Sequence, residues 1–421
     1  MKKQFLKALV VMAALPLTLG AQTAKLVEKV TKSGDKLIIP YEKYVLPNGL
    51  TVIVHEDHSD PIVHVDVTYH VGSNRESIGR SGFAHFFEHM MFQGSDNVAD
   101  EQHIKTVSAA GGSMNGTTNS DRTNYFETVP SNQLAKMLWL EADRMGFLLD
   151  AVTQKKFEVQ RSTVKNERGQ NYDNRPYGLI YEKTASALYP FGHPYSWSTI
   201  GTLADLDRVD VTDLKSFFLR WYGPNNAVLT VAGDVTPAEV VKLAEKYFGP
   251  IPKGPEVENM PKQLVTLDKD RYISYEDNVR FPMIKMSYPS VHNYHADEAP
   301  LDVLADILGG GSNTSIFYKN FEKPGLAIQA NVSNPCSELA GEFSITVLPM
   351  PGGTLADMEK LIRASLEEFE KRGVTDEDLK KFKAKFEADA IGSLASVAGK
   401  GSMLASYQTF TGNPNYSQGA A

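Results

Sequence analysis

Hydrophobic and polar positions alternate soon after residue 40. Asn48-Gly49 marks a tight turn, and beyond it Leu50, Val52 and Val54 alternate with Thr51 and Ile53. Val63, Val65, Val67 and Tyr69 then alternate with His64, Asp66, Thr68 and His70, which predicts a half-buried strand. The period changes at Gly82. Apolar density from there to Gln93, ended by Gly94, predicts a helix, and a second runs from Ala99 to Ala110, closed by Gly111-Gly112. The polar, Thr-rich stretch GGSMNGTTNSDRTNYFETVP predicts a strand with one exposed edge. Amphipathic helices are expected over 132–149, 153–172 and 177–188. YGPNNAVLTVAGDV then reads as a turn feeding a buried strand, and TPAEVVKLAEKYFG as a capped helix.

Four prolines between Gly249 and Gln263 mark a linker. Past it the order recurs: strands over 273–288, a helix over 297–308, strands through LAIQANVS and EFSITVLP, then long charged helices. The chain therefore divides into a leader at 1–21, a first domain at 22–250, a linker at 251–263 and a second domain at 264–421. The two domains are expected to repeat one α+β design, with a polar site in the first alone. At 421 residues, two domains are also the default for size.

Composition narrows the function. A net charge of −8 argues against nucleic acid as a partner. Residues 1–21 combine Lys2, Lys3 and Lys7 with an apolar run from Ala8 to Leu19 and small residues at Gly20 and Ala21, the layout of a cleaved secretory signal. The run is shorter than the roughly 20 residues that span a bilayer, so the mature protein is expected to be exported to the periplasm or medium without a membrane span. Cys336 is the single cysteine, so an intrachain disulfide is excluded.

The helix beginning at Gly82 carries the chemistry. In GFAHFFEHMMFQGS, His85 and His89 stand four apart on one helix face, with Glu88 between them. Two imidazoles so placed can meet one zinc ion, and Glu88 lies where it can take a proton from metal-activated water without being a ligand. The order is H-x-x-E-H, the inverted form of the zinc-peptidase motif. Catalytic zinc needs a third protein ligand; Glu167, in FEVQRSTVKNERGQNYDNRP, is the best candidate and Glu158 the alternative. GGGSNTS, from Gly309, lacks the lysine of a phosphate loop and reads as a flexible turn.

GFAHFFEHMMFQGS, AAGGSMNGTTNSDRTNYFETV, VKNERGQNYDNRPYG and YGPNNAVLTVAGDV, in that order, closely resemble the pitrilysin/insulinase family of zinc metallopeptidases, peptidase family M16. The resemblance implies one zinc per chain held by His85, His89 and Glu167, with Glu88 as general base. It implies a half-shell of two similar α+β domains, each a mainly antiparallel sheet flanked by helices. It also implies that Asn115, Gly116 and Thr117 bind a peptide or unfolded polypeptide as an added strand. Two departures stand out. Gln160 occupies a position where many members carry a second acidic residue, and the chain stops before the final helix and strand expected of the second domain. The family closes its chamber with a second half-shell, in the same longer chain or as a separate subunit, so the sequence resembles a truncated N-terminal half. The leading expectation is a zinc endopeptidase; the alternatives are a non-catalytic peptide- or partner-binding half-subunit and, last, a structural zinc protein.

Overall fold

The computed structural model describes residues 23–416 apart from 33 and 35–37; the leader expected at 1–21 lies outside the described residues. The first half begins with β1 (Lys25–Val30), β2 (Tyr41–Val45), β3 (Thr51–Glu56) and β4 (Ile62–Tyr69). Next come α1 (Phe83–Met90), α2 (Gln102–Ala109), β5 (Ser113–Thr118) and β6 (Thr123–Pro130). Five helices follow, α3 (Leu134–Gly146), α4 (Gln154–Arg168), α5 (Ile180–Leu188), α6 (Leu203–Arg208) and α7 (Val211–Trp221), then β7 (Ala227–Gly233) and α8 (Pro237–Tyr247). The second half holds β8 (Ile284–Ser290), α9 (Glu298–Gly309), β9 (Ala327–Ser333) and β10 (Gly341–Pro349). It closes with α10 (Leu355–Arg372), α11 (Asp376–Ser393) and α12 (Val397–Thr411).

Two sheets flanked by helices result, as the α+β reading expects. The first has the order β1-β2-β3-β7-β4-β6-β5 and the second β8-β10-β9. Every pairing is antiparallel except β3 with β7. The repeat is visible in the strand order. In β4-β6-β5 and in β8-β10-β9 alike, a strand pairs with the second member of the following hairpin, whose first member forms the edge.

Three expectations change. The Thr-rich stretch is not one strand but the β5–β6 hairpin, because the Asn119 side chain accepts hydrogen bonds from the Asp121 and Arg122 N–H groups and turns the chain. The strand expected over 273–288 begins only at Ile284. Residues before it are tied to α5 and the turn ahead of it instead of a sheet: the Tyr177 N–H donates to Asp277, the Tyr177 hydroxyl to the Phe281 carbonyl, and Arg271 to the Ala187 carbonyl. Finally, β4 is buried on both faces. Its valines enter the main core, while His64, Asp66 and Thr68, and His70 just past its end, are covered as well.

The cover over that polar face is α12, which leaves the second half and lies across the first sheet. Leu404 packs with Ile39, Tyr41, Ile53 and Val228, a burial worth about 1.5–3 kcal/mol. Phe410 meets the His70 ring edge-on at 5.5 Å, and Lys400 pairs with Asp57 at 2.6 Å. Gly401 allows the approach, since a Cβ there would stand 2.8 Å from the His64 ring. No helix among the described residues is long and apolar enough to cross a membrane.

Candidate metal centre

Helix α1 is fixed by packing on one side, and that leaves its chemistry on the other. Phe83, Phe86, Phe87 and Met90 are buried. Phe83 stacks on Phe217 and Phe87 on Phe218, at 5.5 and 5.0 Å between ring centres, and Phe86 meets Phe157 of α4 edge-on at 5.0 Å. The first turn is capped from a distance: the Glu76 carboxylate accepts the N–H groups of Gly82 and Ala84 at 2.8 and 2.9 Å. The group answers the unpaired amides of the first turn, while burial pushes its carboxyl up to about 8. Gly82 itself has φ 95°, a conformation that favours glycine.

Across from α1, α4 starts at a Thr153 cap and buries Phe157, Gln160, Val164 and Arg168. Arg168 anchors its end through Glu182 and the Gly201 carbonyl. That anchoring leaves Glu167 facing α1. Its Oε2 lies 3.1 Å from His89 Nε2 and 3.6 Å from His85 Nε2. Ligands at about 2.0–2.1 Å around a tetrahedral zinc stand about 3.3 Å apart, which these separations bracket, so the donor set fits zinc. Glu158, the alternative third donor, instead bonds Gln154 and Arg161 on its own helix. Gln160 is buried on α4.

The electrostatics suit a cation. Burial, helped by the neighbouring His89, pushes the His85 imidazole down to about 4 against the pull of Glu167. Its Nδ1 is buried without a hydrogen-bond partner among the described residues. The hydrogen bond with His89 leads the causes that hold Glu167 below the usual carboxylate range; His85 and Asn171 add to it and burial opposes. Neutral His85 and ionised Glu167 are the forms that ligate metal.

Glu88 stands apart from this trio. Its Oε2 accepts the Thr118 hydroxyl at 2.6 Å. Burial raises its carboxyl above the ordinary value and Glu167 adds to this, while Thr118, His89 and Arg122 pull it down. Thr118 ends β5, the strand carrying Asn115, Gly116 and Thr117. That strand pairs with β6 on one side and is the edge of its sheet. Gly116 lets Phe92 and Tyr125 pack close, since a Cβ would meet both rings at 3.1 Å. Arg122 ties down the neighbouring Thr117, donating to its carbonyl at 3.1 Å and to its hydroxyl.

Glu76 and Thr118 escaped the sequence reading. Thr118 adjoins the Asn115–Thr117 triplet, and the polar run was the only signal for it. A cap six residues ahead of Gly82 leaves no pattern in the sequence. A second donor group also came to light. His103, Glu127 and Glu141 lie close together and fully buried. Here the Arg144 guanidinium bonds Glu141 and supplies the positive charge that a cation would bring. A dication there would be repelled by the guanidinium, which takes the cation's place beside Glu141.

Known proteins resemble this chain in both of its halves. Residues 51–193, which include His85, Glu88, His89 and Glu167, match the family described as Insulinase (Peptidase family M16). Residues 208–386 match the Peptidase M16 inactive domain. The chain is 31% identical over 372 residues to the zinc protease PqqE of Helicobacter pylori, covering 87% of this chain and 83% of that protein. A crystal structure of a protease from Helicobacter pylori superposes with a TM-score of 0.80 at 30% identity, over 88% of this chain and 89% of that one. Pitrilysin, at 19% identity and a TM-score of 0.73, shares the fold over 92% of this chain but 42% of its own. The chain belongs to peptidase family M16.

Proposed function

We propose that this protein is a zinc-dependent endopeptidase acting on peptides or unfolded polypeptide segments. The observation that carries the reading is the meeting of His85, His89 and Glu167 from two helices, with Glu88 beside them and engaged by Thr118 rather than by the trio. His85, His89 and Glu167 would hold one zinc ion, which when bound supplies a Lewis acid and lowers the pKa of water. An extended substrate adds to the open edge of β5 along Asn115, Gly116 and Thr117, where main-chain groups bind it and side-chain pockets select it. Glu88 takes a proton from the attacking water and delivers it to the departing amine nitrogen as the C–N bond breaks.

The leader at residues 1–21 sends the protein out of the cytoplasm, into the periplasm or the medium. A second M16 half-shell, in a longer chain or as a separate subunit, completes the substrate chamber. A second reading, a half-subunit that binds peptides or a partner without cutting them, takes its support from the match of residues 208–386 to a region described as inactive. Zinc content and hydrolysis of a quenched-fluorescent peptide mixture, with and without a second half-shell, separate the two. One zinc per chain and hydrolysis cut by about 10²-fold or more in Glu88→Gln with zinc retained support the peptidase. Bound zinc with no cleavage in either setting supports the half-subunit.

A further inference from the structure

The loop between β9 and β10 enters the first half and buries Glu338, Leu339 and Ala340 there. Its main chain is received by a polar group, not by a purely apolar one. The Glu338 N–H donates to Asp121 Oδ2 at 3.0 Å, and the Leu339 N–H to the Tyr195 hydroxyl at 2.9 Å. Tyr195 in turn donates to Asp121 Oδ1 at 2.5 Å, where Asn74 Nδ2 also arrives at 3.0 Å. The Glu338 carboxylate lies 2.8 Å from His70 Nε2. One carboxylate thus collects three donors, one of them from the second half.

Asp121 sits in the β5–β6 turn, three residues beyond Thr118, the partner of Glu88. The same turn is gripped from behind, where the Ser73 and Asn74 N–H groups donate to the Asn119 and Ser120 carbonyls at 3.2 and 2.8 Å. Gly72 is required at that contact, since a Cβ would fall 2.3 Å from the Asn119 carbonyl oxygen. β6 pairs β5 along one side, and no further strand among the described residues holds its free edge, so the turn helps β6 to fix the position of β5 against α1.

We infer that Asp121 is a positioning residue through which the second half, by way of its Glu338–Leu339 loop, holds β5 and Thr118 against Glu88. The inference rests on the peptidase reading for its kinetic consequence, but its structural consequence stands without it. Asp121 and Tyr195 act as one unit, because removing either breaks the hydrogen bond between them and frees the other's grip on the Glu338–Leu339 main chain. Glu338 contributes chiefly its main-chain N–H, so its side chain matters less.

The test uses the full chain loaded with zinc, in the variants Asp121→Asn, Tyr195→Phe, their double and Glu338→Gln. Hydrogen exchange of peptides spanning 113–123 is compared with that of 83–90, alongside zinc content and kcat and KM on a quenched-fluorescent peptide mixture. Exchange over 113–118 is expected to quicken about tenfold in Asp121→Asn and Tyr195→Phe, with 83–90 and zinc content unchanged. kcat is expected to fall about tenfold with a much smaller change in KM, the double variant no worse than the worse single, and Glu338→Gln the mildest. Tyr195→Phe keeps the test open should Asp121→Asn fail to fold. Unaltered exchange at 113–118 in both single variants overturns the inference, and so does quickened exchange with wild-type kcat and KM. A wild-type chain that cleaves nothing counts against the peptidase reading alone, and the exchange result then decides this inference by itself.

Discussion

Strands β4, β5 and β6 with α1 and α4 in the first half correspond to β8, β9 and β10 with α9 and α11 in the second, yet among the described residues only the first set brings together two histidines and a carboxylate. The strand order is the same and each first helix follows the equivalent strand. The helix pairs differ. α1 faces α4 closely enough for Phe86 to meet Phe157 and for Glu167 to reach both histidines. α11 buries none of its residues and reaches α9 through Lys385, which donates to Asp306 and to the Gly310 carbonyl. α9 offers Asp302 and Asp306 at the same four-residue spacing, but Asp302 accepts the Asn334 amide and Asp306 is taken by Lys385. β4 also has β7 along its outer side, where β8 is an edge strand among the described residues. The sheet-and-helix frame is thus permissive, and the site depends on how tightly two helices approach.

Removing one side of the comparison gives the largest effect. His89→Ala is expected to lower zinc affinity by more than the roughly 10–100-fold that outer partners of ligands are worth, and to abolish hydrolysis. Asp306→Ala on α9 should leave both intact, as metal analysis and peptide assay will show. Next comes Glu88→Gln, expected to cost about 10²–10⁴-fold in kcat with zinc content unchanged. Loss of zinc in that variant would mean Glu88 is itself a ligand.

Acid offers a way to part the halves. Burial pushes the His64 imidazole down to about 4, from an ordinary value near 6.5. Protons therefore bind the unfolded chain first. The stabilisation is complete above about pH 6.5 and is lost as the pH falls toward 4, by at most about 3 kcal/mol. Denaturant midpoints measured across that window should show a slope that His64→Gln flattens.

A smaller change targets the cap that α1 has and α9 lacks. Glu76→Ala leaves buried amides unpaired and is expected to cost about 2 kcal/mol in urea unfolding. Lys385→Ala, at an exposed contact of α11, should shift the same midpoint by less than about 0.5 kcal/mol.

Local pattern made much of this legible in the chain. The four-residue spacing of His85 and His89, the Asn48-Gly49 turn and the alternation in β4 are all short-range, and the structure places each in the element expected. What was not legible is held by residues far apart. His64 and His70 read as sheet-surface residues because nothing near them shows that α12 covers their face from more than 300 positions away. Glu338 gives no local sign that its N–H will meet Asp121. The β5–β6 turn was hidden because its polar residues continue the polar character of the strands on either side. Over 273–283 the strand expectation failed because a strand needs a neighbour, and the segment is bonded instead by Tyr177, with Arg271 just ahead of it tied to Ala187.

The reach of α12 back to the first sheet has a mechanical outcome. Protease nicking in the irregular stretch 249–283 would sever the backbone and still leave two pieces clasped together, because the far end of one lies buried in the other. Such a nicked protein should elute as a single species and melt in one cooperative step.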